Sequence, residues 1–288
     1  MTIPDNVRAD ILAQALPYMK RFSGKTLVVK YGGAAMTNEG VRTTVAQDLV
    51  ALSAVGIRTV LVHGGGPEID SVLRRFGKEP TFVQGLRYTD EETMEVVQMV
   101  LAGKVNKDIV ALIQRQGGRA LGLCGADGGL LTARRFAKKG LDLGLVGEIQ
   151  KIDRGVLDAA LGAGYIPVVA TVAMGEKDDE RMYNINADTA AADIAVALGA
   201  EKLVLLTDVP GVLRDLEDAS TLVSALPRTL IEEYLEAGIV SKGMIPKIEC
   251  CARAIDGGVD RAHIVDGRSP HALLLELFTD RGVGTMIL

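Results

Sequence analysis

Glycine-containing turns that directly follow apolar, strand-like runs are the segments of this 288-residue chain whose residue types could do chemistry. They lie at residues 30–33 (KYGG), 63–66 (HGGG) and 208–211 (DVPG). Because glycine has no Cβ, backbone N–H groups in such turns approach an anion closely, and a following helix N-terminus adds partial positive charge. One such turn can be purely conformational, since tight turns after strands often use glycine. Together, the turns predict a polyphosphate site.

Charged residues next to these turns are the candidates for catalysis. Lys30 closes an apolar strand just before Gly32 and Gly33, which favours a crevice position over a side chain that extends into solvent. Lys247 lies at the predicted start of a helix, where its charge opposes the helix dipole unless an anion is bound. Asp188 opens an Ala-rich helix, and its residue type suits capping or dipole compensation as well as it suits catalysis.

Motifs of several common enzyme classes are missing from the sequence. It has no GxxxxGK[ST] phosphate loop, and each of its GxG segments lacks the third glycine of the dinucleotide fingerprint. HExxH, GxSxG and Cys/His clusters are also absent, and His63, His263 and His271 lie far apart. We interpret His63 as a strand-end residue with a satisfied hydrogen bond rather than as a catalytic base. Zinc-dependent and serine-hydrolase mechanisms are therefore disfavoured.

Composition narrows the function classes further. With 48% hydrophobic and 24% charged residues the chain is typical of a globular protein, and its net charge of −5 disfavours nucleic-acid binding. The longest uncharged run, residues 159–175, is too short and too interrupted by glycine and proline to span a bilayer. The acidic N-terminus lacks the apolar core of a secretory signal, which predicts a cytoplasmic protein. Three cysteines without metal-ligand spacing predict reduced, buried thiols.

Alternating strands and helices must position these residues. Apolar, β-branched runs at 26–29, 59–62, 167–172, 203–207 and 263–265 alternate with helical segments. This alternation predicts a mainly parallel sheet with helices on both faces. A helix over residues 39–55 would complete a right-handed strand–helix–strand unit, which places the turns at one edge of the sheet.

The sequence also predicts the structure of two further segments, the N-terminal one and the glycine-rich middle one. An apolar stripe predicts a helix over residues 5–22, kinked or broken near its end by Pro17, and packed either on another subunit or on its own core. The glycine-rich segment 120–151 predicts a mobile, β-rich excursion. A domain boundary near residue 180 rests only on the change of motif type.

Segments spread over essentially the whole chain resemble the amino acid kinase family. They are VVKYGGAAM (28–36), LVHGGGPEI (61–69), QGLRYTD (84–90), YNINADTAA (183–191), LLTDVPGVL (205–213) and SKGMIPKI (241–248). Within that family, they are similar to members that phosphorylate the γ-carboxylate of N-acetyl-L-glutamate with ATP in arginine biosynthesis. The resemblance implies an α/β fold, an open three-layer αβα sandwich with a central, mainly parallel sheet.

The same resemblance implies a division of the chain and a role for each site residue. Residues 1–24 would form a helix for oligomerisation and arginine regulation, 25–180 a lobe for acetylglutamate binding and dimerisation, and 181–288 a lobe for ATP binding. The implied catalytic residues are Lys30, Lys247 and Asp188, and the implied substrate-binding residues are Gly65, Gly66, Arg87 and Asn184. The implied nucleotide-binding residues are Gly32, Gly33, Asp208, Val209, Pro210, Gly211, Val212, Leu213, Ile239, Val240 and Ser241. Mg²⁺ would arrive on ATP, without a metal site of the protein's own.

The chain ends resemble those of arginine-inhibited, hexameric members, which are trimers of dimers. The resemblance implies an arginine site at Tyr18, Lys202, Glu276 and Gly282. From their residue types alone, Tyr18 and Glu276 fit ordinary surface positions as well as they fit a binding site. In photosynthetic organisms related enzymes also bind a nitrogen-signalling protein of the P-II class, a further implied partner.

The implied reaction accounts for the missing catalytic histidine. A γ-carboxylate with a pKa of about 4.3 is ionised at neutral pH and requires no general base. It requires relief of the repulsion between two anions, which cations, backbone donors and Mg²⁺ supply. The alternatives are kinases of the same family acting on acetylaminoadipate, glutamate, aspartate, carbamate or UMP, and a non-catalytic arginine sensor. One added methylene changes affinity by only about 1–3 kcal/mol, so the sequence does not separate acetylglutamate from acetylaminoadipate.

Overall fold

A computed structural model describes residues 4–36, 38–138, 140–215, 217–240 and 243–288. Its centre is an eight-stranded sheet. In spatial order the strands are β12 (Ala225–Leu226), β14 (Thr285–Ile287), β13 (Arg261–Asp266), β11 (Lys202–Thr207), β1 (Thr26–Tyr31), β2 (Arg58–His63), β8 (Ile166–Ala170) and β5 (Ala120–Cys124). The strands from β13 to β5 all run parallel, and β14 is antiparallel to β13. The predicted mainly parallel sheet is confirmed.

Helices cover this sheet. They are α1 (Asp5–Phe22), α2 (Glu39–Ala54), α3 (Gly66–Arg75), α4 (Glu91–Gln98), α5 (Asn106–Arg115), α6 (Gly155–Gly162), α7 (Ala187–Leu198), α8 (Ile231–Glu236), α9 (Ile245–Asp256) and α10 (Ala272–Phe278). A π-helix, Met99–Val105, joins α4 to α5. None of the helices in the described ranges combines the length and apolar character needed to cross a membrane.

Alternate residues of the central strands enter hydrophobic cores on opposite faces of the sheet. On β1, Val28 packs in a core with residues of α7 and α9, whereas Leu27 and Val29 pack in the core that contains α2. Side chains of a strand alternate between faces, so each apolar strand contributes to both cores. Helices on both faces of one sheet make the predicted three-layer αβα sandwich.

Two smaller sheets flank the main one. The first has the order β10 (Met182–Asn184), β9 (Val172–Gly175), β6 (Leu131–Arg135) and β7 (Gly147–Ile152), and the second pairs β3 (Phe82–Val83) with β4 (Leu86–Arg87). The segment 120–151 is β-rich as predicted, because it contains β5, β6 and β7, but its first residues are not an excursion, because β5 is the edge strand of the main sheet. The predicted strand 167–172 likewise divides into β8 and β9.

The N-terminal helix continues through Pro17 to Phe22, so the predicted break at this proline is wrong. Proline removes one hydrogen-bond donor, and the remaining N–H groups of the last turn sustain the helix. Phe22 is its one buried residue, while Val7 is 40% and Ile11 52% exposed. The apolar stripe therefore does not dock along its length on the core of its own chain.

The start of α7 is held by Asn186 rather than by Asp188. Asn186 is the N-cap residue, and its Oδ1 accepts hydrogen bonds from the backbone N–H groups of Asp188 and Thr189 at 2.9 and 3.1 Å. Asp188 lies in the first turn, so its carboxylate is not needed as the cap. This removes the capping explanation for Asp188.

We expect Asn186→Ala to lower the free energy of unfolding by about 1 kcal/mol, because the first turn of α7 loses its side-chain acceptor. Asn186→Asp keeps an acceptor and is the matched control, expected to remain near the parent stability. Equilibrium denaturation in urea measures both. An alanine variant as stable as the parent would contradict the assigned cap.

Candidate functional site

The turns after β1 and β2 open into one cavity of about 290 Å³ at the edge of the sheet. The sequence-predicted residues that line it are Lys30, Gly32, Gly33, Gly65, Gly66, Arg87 and Asn184. The start of α7, through Asn186 and Ala187, completes the lining. The structure therefore brings together residues that are more than 150 positions apart in the sequence.

Lys30 forms an ion pair with Asp188 at this cavity. Its Nζ lies 2.8 Å from Asp188 Oδ1, and the side chains are only 13% and 17% exposed. A Cβ on Gly32 would lie 2.9 Å from the same Nζ, so a larger residue there would displace the ammonium group. The glycine predicted for anion binding thus also gives Lys30 the space it occupies.

Arg87 is buried at one wall of the cavity. Its Nη1 lies 2.6 Å from Asp70 Oδ1, its Nη2 donates to the Gly66 carbonyl at 3.2 Å, and its guanidinium lies 4.8 Å from the centre of the Phe82 ring. These contacts fix the guanidinium beside the glycine turn at residues 63–66. Asp70, one turn into α3, was not predicted from the sequence. An acidic residue so soon after the glycines 64–66 was the one feature of the sequence that could have indicated it.

Asn184, the last residue of β10, also lines this cavity. Its Nδ2 donates to Thr89 Oγ1 at 3.2 Å, and Thr89 is fully buried. A strand-end amide anchored in this way presents a fixed polar group to the cavity.

Lys247 lies in the first turn of α9 and is half-buried. Within the described part of the chain, no ion pair includes its ammonium group. The helix packs against the first turn of α7, where the Cys250 thiol donates to the Asp188 carbonyl at 2.8 Å. Pro246 and Asp188 line a second cavity, of about 270 Å³, which shares Asn186 with the first. The elements that carry Lys30, Asp188 and Lys247 therefore adjoin one another, but Asp188 lines only the second cavity and Lys247 lines neither.

The turn at residues 208–211, which follows β11, lines a separate cavity of about 220 Å³. The sequence-predicted residues around it are Asp208, Val209, Pro210, Gly211, Val212, Leu213, Ile239 and Val240. Ser241 lies outside the described residues. Met244 and Arg268 also line this cavity and were missed by the sequence analysis. Gly211 has a φ of +144°, and a Cβ there would lie 2.5 Å from Thr285 Oγ1, so the turn requires glycine.

A cavity of about 230 Å³ beside α1 gathers the predicted arginine-site residues Tyr18, Lys202, Glu276 and Gly282. His263, which the sequence analysis left without a role, links two of them. Its Nε2 lies 2.9 Å from Lys202 Nζ and its Nδ1 2.6 Å from Glu276 Oε1. Tyr18 donates to the carboxylate of Asp280. Tyr18 and Glu276 are thus parts of one polar cavity.

Burial sets the charges of this linked group. It lowers the pKa of Lys202 to about 8 and also lowers the pKa of His263. Burial by itself raises the pKa of Glu276, but the hydrogen bond from His263 and the backbone donors of Val283 and Gly284 outweigh it and hold that pKa below its usual value. At neutral pH the cavity therefore contains a cationic Lys202, a neutral His263 and an anionic Glu276.

Comparison with known proteins defines the class. The model of the amino acid kinase family matches residues 25–266, and the chain belongs to this family. It is 56% identical to the acetylglutamate kinase of Heliobacterium modesticaldum, over 98% of each chain.

Solved structures agree with the fold. N-acetylglutamate synthase from Neisseria gonorrhoeae, solved with coenzyme A and N-acetylglutamate, superposes with a TM-score of 0.85 and 31% identity, over 97% of this chain and 63% of the synthase chain. The same synthase with coenzyme A and L-arginine gives a TM-score of 0.82 and 29% identity, over 97% and 65%. Carbamate kinase from Giardia lamblia shares the fold, with a TM-score of 0.64 and 14% identity over 92% and 98%.

We expect Lys30→Ala to lower kcat for phosphoryl transfer by on the order of 10² or more, with smaller changes in the KM of either substrate. The reason is that a positioned cation stabilises charge on the moving phosphoryl more than it stabilises the ground state. Lys25→Ala is the matched control, because Lys25 is a half-exposed lysine that pairs with Glu201 near the other end of β1. Steady-state kinetics with both substrates measures the effect. An unchanged kcat in the Lys30 variant would refute the role.

Proposed function

We propose that this chain transfers the γ-phosphoryl group of MgATP to the γ-carboxylate of N-acetyl-L-glutamate, which yields N-acetylglutamyl 5-phosphate in arginine biosynthesis. The observation that carries the proposal is the ion pair between Lys30, which lines the glycine-rich cavity, and Asp188, which lines the adjoining cavity. Identity of 56% to an acetylglutamate kinase over nearly the whole chain selects the acceptor.

Anion–anion repulsion is the barrier that this site is suited to lower. A γ-carboxylate oxygen attacks the γ-phosphorus, the bond from that phosphorus to the β–γ bridging oxygen breaks, and ADP leaves with the electron pair. Lys30 and Lys247 would contact the moving phosphoryl, while Asp188 holds Lys30 in place and, in this proposal, Lys247 as well. No proton leaves the acceptor, so the site requires no base.

Several other residues that line the cavity of Lys30 suit the acceptor. Arg87 and Asn184 offer donors for the acetylglutamate carboxylate and amide, and Gly65 and Gly66 offer backbone N–H groups at the start of α3. Asp70 neutralises part of the Arg87 charge and fixes its direction. A cavity of about 290 Å³ matches a small amino-acid derivative rather than a peptide.

The cavity at the turn 208–211 suits the nucleotide. It combines apolar side chains of Val209, Val212 and Ile239 with the charged groups of Asp208 and Arg268. Such a lining accepts a planar base and the polar ribose next to it. Gly32 and Gly33, in the first cavity, would lie beside the phosphates. Mg²⁺ would be bound as part of the substrate MgATP. Among the described residues no group of three or more His, Cys, Asp or Glu could hold an ion.

Hydroxamate formation from the acyl phosphate tests the activity directly. We expect product with acetylglutamate and ATP, and a kcat/KM at least about tenfold lower with acetylaminoadipate, whose additional methylene the pocket must accommodate. Glutamate, carbamate and UMP complete the comparison. Folded protein that makes no hydroxamate from any acceptor would favour the non-catalytic arginine sensor.

Feedback inhibition by arginine belongs to the same proposal. The cavity beside α1 places an acidic Glu276 and a basic Lys202 on one polar surface, which suits a guanidinium at one end and a carboxylate at the other. The similarity to a synthase solved with L-arginine supports this ligand. The exposed apolar face of α1 supports the hexameric assembly. Further parts of the proposal have other grounds. The P-II class partner and the boundary near residue 24 rest on the family resemblance, the boundary near residue 180 rests on the change of motif type, and the cytoplasmic location rests on the N-terminal sequence.

Arginine inhibition should weaken as pH rises through 8. With its pKa lowered to about 8, Lys202 loses its charge above that pH and attracts the arginine carboxylate less. We expect the half-inhibitory arginine concentration to rise by up to about tenfold between pH 7 and 9. Lys202→Arg keeps the charge throughout this range and should flatten the dependence.

Activity titrated with arginine across this pH range measures the effect in both proteins. A Lys202→Arg variant with the same pH dependence as the parent would exclude Lys202 as the titrating group. Insensitivity of the parent to millimolar arginine at pH 7 would remove the regulatory claim.

A further inference from the structure

His63, the last residue of β2, is completely buried, and both of its ring nitrogens are engaged. Nδ1 lies 2.9 Å from the Gly64 carbonyl oxygen, and Nε2 lies 3.1 Å from Asn106 Nδ2. Because an amide nitrogen only donates, Nε2 must accept. The ring proton therefore lies on Nδ1 and is donated to Gly64.

The orientation of the Asn106 amide is fixed by other contacts. Its Nδ2 lies 3.1 Å from the Leu123 carbonyl and 2.8 Å from the Val168 carbonyl, and both are acceptors only. Its Oδ1 accepts from Lys107 Nζ at 2.9 Å. A flipped amide would place its oxygen against two carbonyls and its nitrogen against an ammonium group. The amide has two hydrogens for three acceptors, so its bond to His63 Nε2 is a shared one, and the Gly64 carbonyl and Asn106 together set the tautomer of His63.

The Gly64–Gly65 peptide is the group that this arrangement controls. Glycine on both sides leaves the peptide plane with little steric restraint. In a trans peptide the C=O and N–H point in opposite directions, so holding the Gly64 carbonyl against the ring directs the Gly65 N–H away from it. Gly64, Gly65 and Gly66 all line the cavity that contains Lys30.

Residues of the π-helix and of β5 pack closely around His63, Asn106 and the glycines 64–66. Asn106 directly follows the π-helix, and Leu101 of that helix packs so closely that a Cβ on Gly65 would lie 2.7 Å from its Cδ2. On β5, a Cβ on Gly122 would overlap Asn106 Oδ1, so glycine makes the space for this amide. Wide π-turns often occur at functional sites. The π-helix Met99–Val105 and the residue that follows it place Leu101 and Asn106 next to the glycine turn at residues 63–66.

We propose that His63, oriented by Asn106, is a positioning residue that sets the direction of the Gly65 N–H toward the substrate anion. Burial lowers the pKa of His63 to about 4, so the ring stays neutral and keeps this hydrogen-bond pattern at physiological pH. The kinetic consequence rests on the proposed kinase function, whereas the tautomer does not.

A matched pair of variants separates positioning from packing. In His63→Asn the side-chain amide reaches the place of Nδ1 and can still donate to Gly64, but it loses the contact with Asn106. In His63→Gln the amide reaches the place of Nε2 and keeps Asn106 satisfied, but it no longer donates to Gly64. Each variant loses one of the two hydrogen bonds, and the smaller asparagine also leaves a cavity at this fully buried position, so His63→Asn should be the less stable of the two.

We expect His63→Asn to retain kcat/KM for acetylglutamate within about threefold, and His63→Gln to lose about tenfold or more, with the KM for ATP unchanged in both. Equal losses in the two variants, or losses that follow their thermal stabilities, would overturn the proposal.

The native protein gives a readout that does not depend on activity or on the folding of variants. Nitrogen-15 NMR of the histidine rings should show His63 as the neutral Nδ1–H tautomer from pH 5.5 to 8. An Nε2–H tautomer, or titration near pH 6.5, would overturn the proposal. If the parent lacked kinase activity, the proposed function would fail while this measurement still decided the state of His63.

Discussion

The pairing of a mostly buried ammonium group with a mostly buried carboxylate, Lys30 with Asp188, is the constraint around which the site is built. Leaving either charge alone in this cavity would cost more than the pair gains, so both must be present and correctly placed. β1 delivers the lysine, and the capped start of α7 delivers the aspartate. Gly32 leaves the space that the ammonium group occupies.

In the proposed reaction, the other residues of the site also bind or orient charged groups, and none of them transfers a proton. Asp70 holds the guanidinium of Arg87, backbone donors lie at the glycine turns, and the ammonium group of Lys247 adds a positive charge near the start of α9 that no ion pair among the described residues neutralises. In the proposed reaction the carboxylates do not act as acids or bases. Asp188 and Asp70 orient cations, and the buried His63 orients a peptide. A carboxylate acceptor that is already ionised suits such a site.

The sequence predicts most of the fold because apolar, β-branched runs mark the strands, and the strand order brings their end turns to one edge. It also identifies Lys30 and its glycines, because a charge at the end of an apolar strand is conspicuous. It does not reveal Asp70, Asn106 or His263, since their partners are distant in the chain and each residue type is common on surfaces. Local propensity also misleads at Pro17, where the helix continues, and at Asp188, which looks like a cap although Asn186 has that role.

A crystal structure with ADP, Mg²⁺, aluminium fluoride and N-acetyl-L-glutamate would show whether both lysines act on the transferred phosphoryl group. We expect the fluoride group between the nucleotide and the γ-carboxylate, with the Nζ atoms of Lys30 and Lys247 each about 3 Å from it and Asp188 in contact with both lysines. A complex in which the lysines point into separate regions, or in which the fluoride group contacts neither of them, would contradict this expectation.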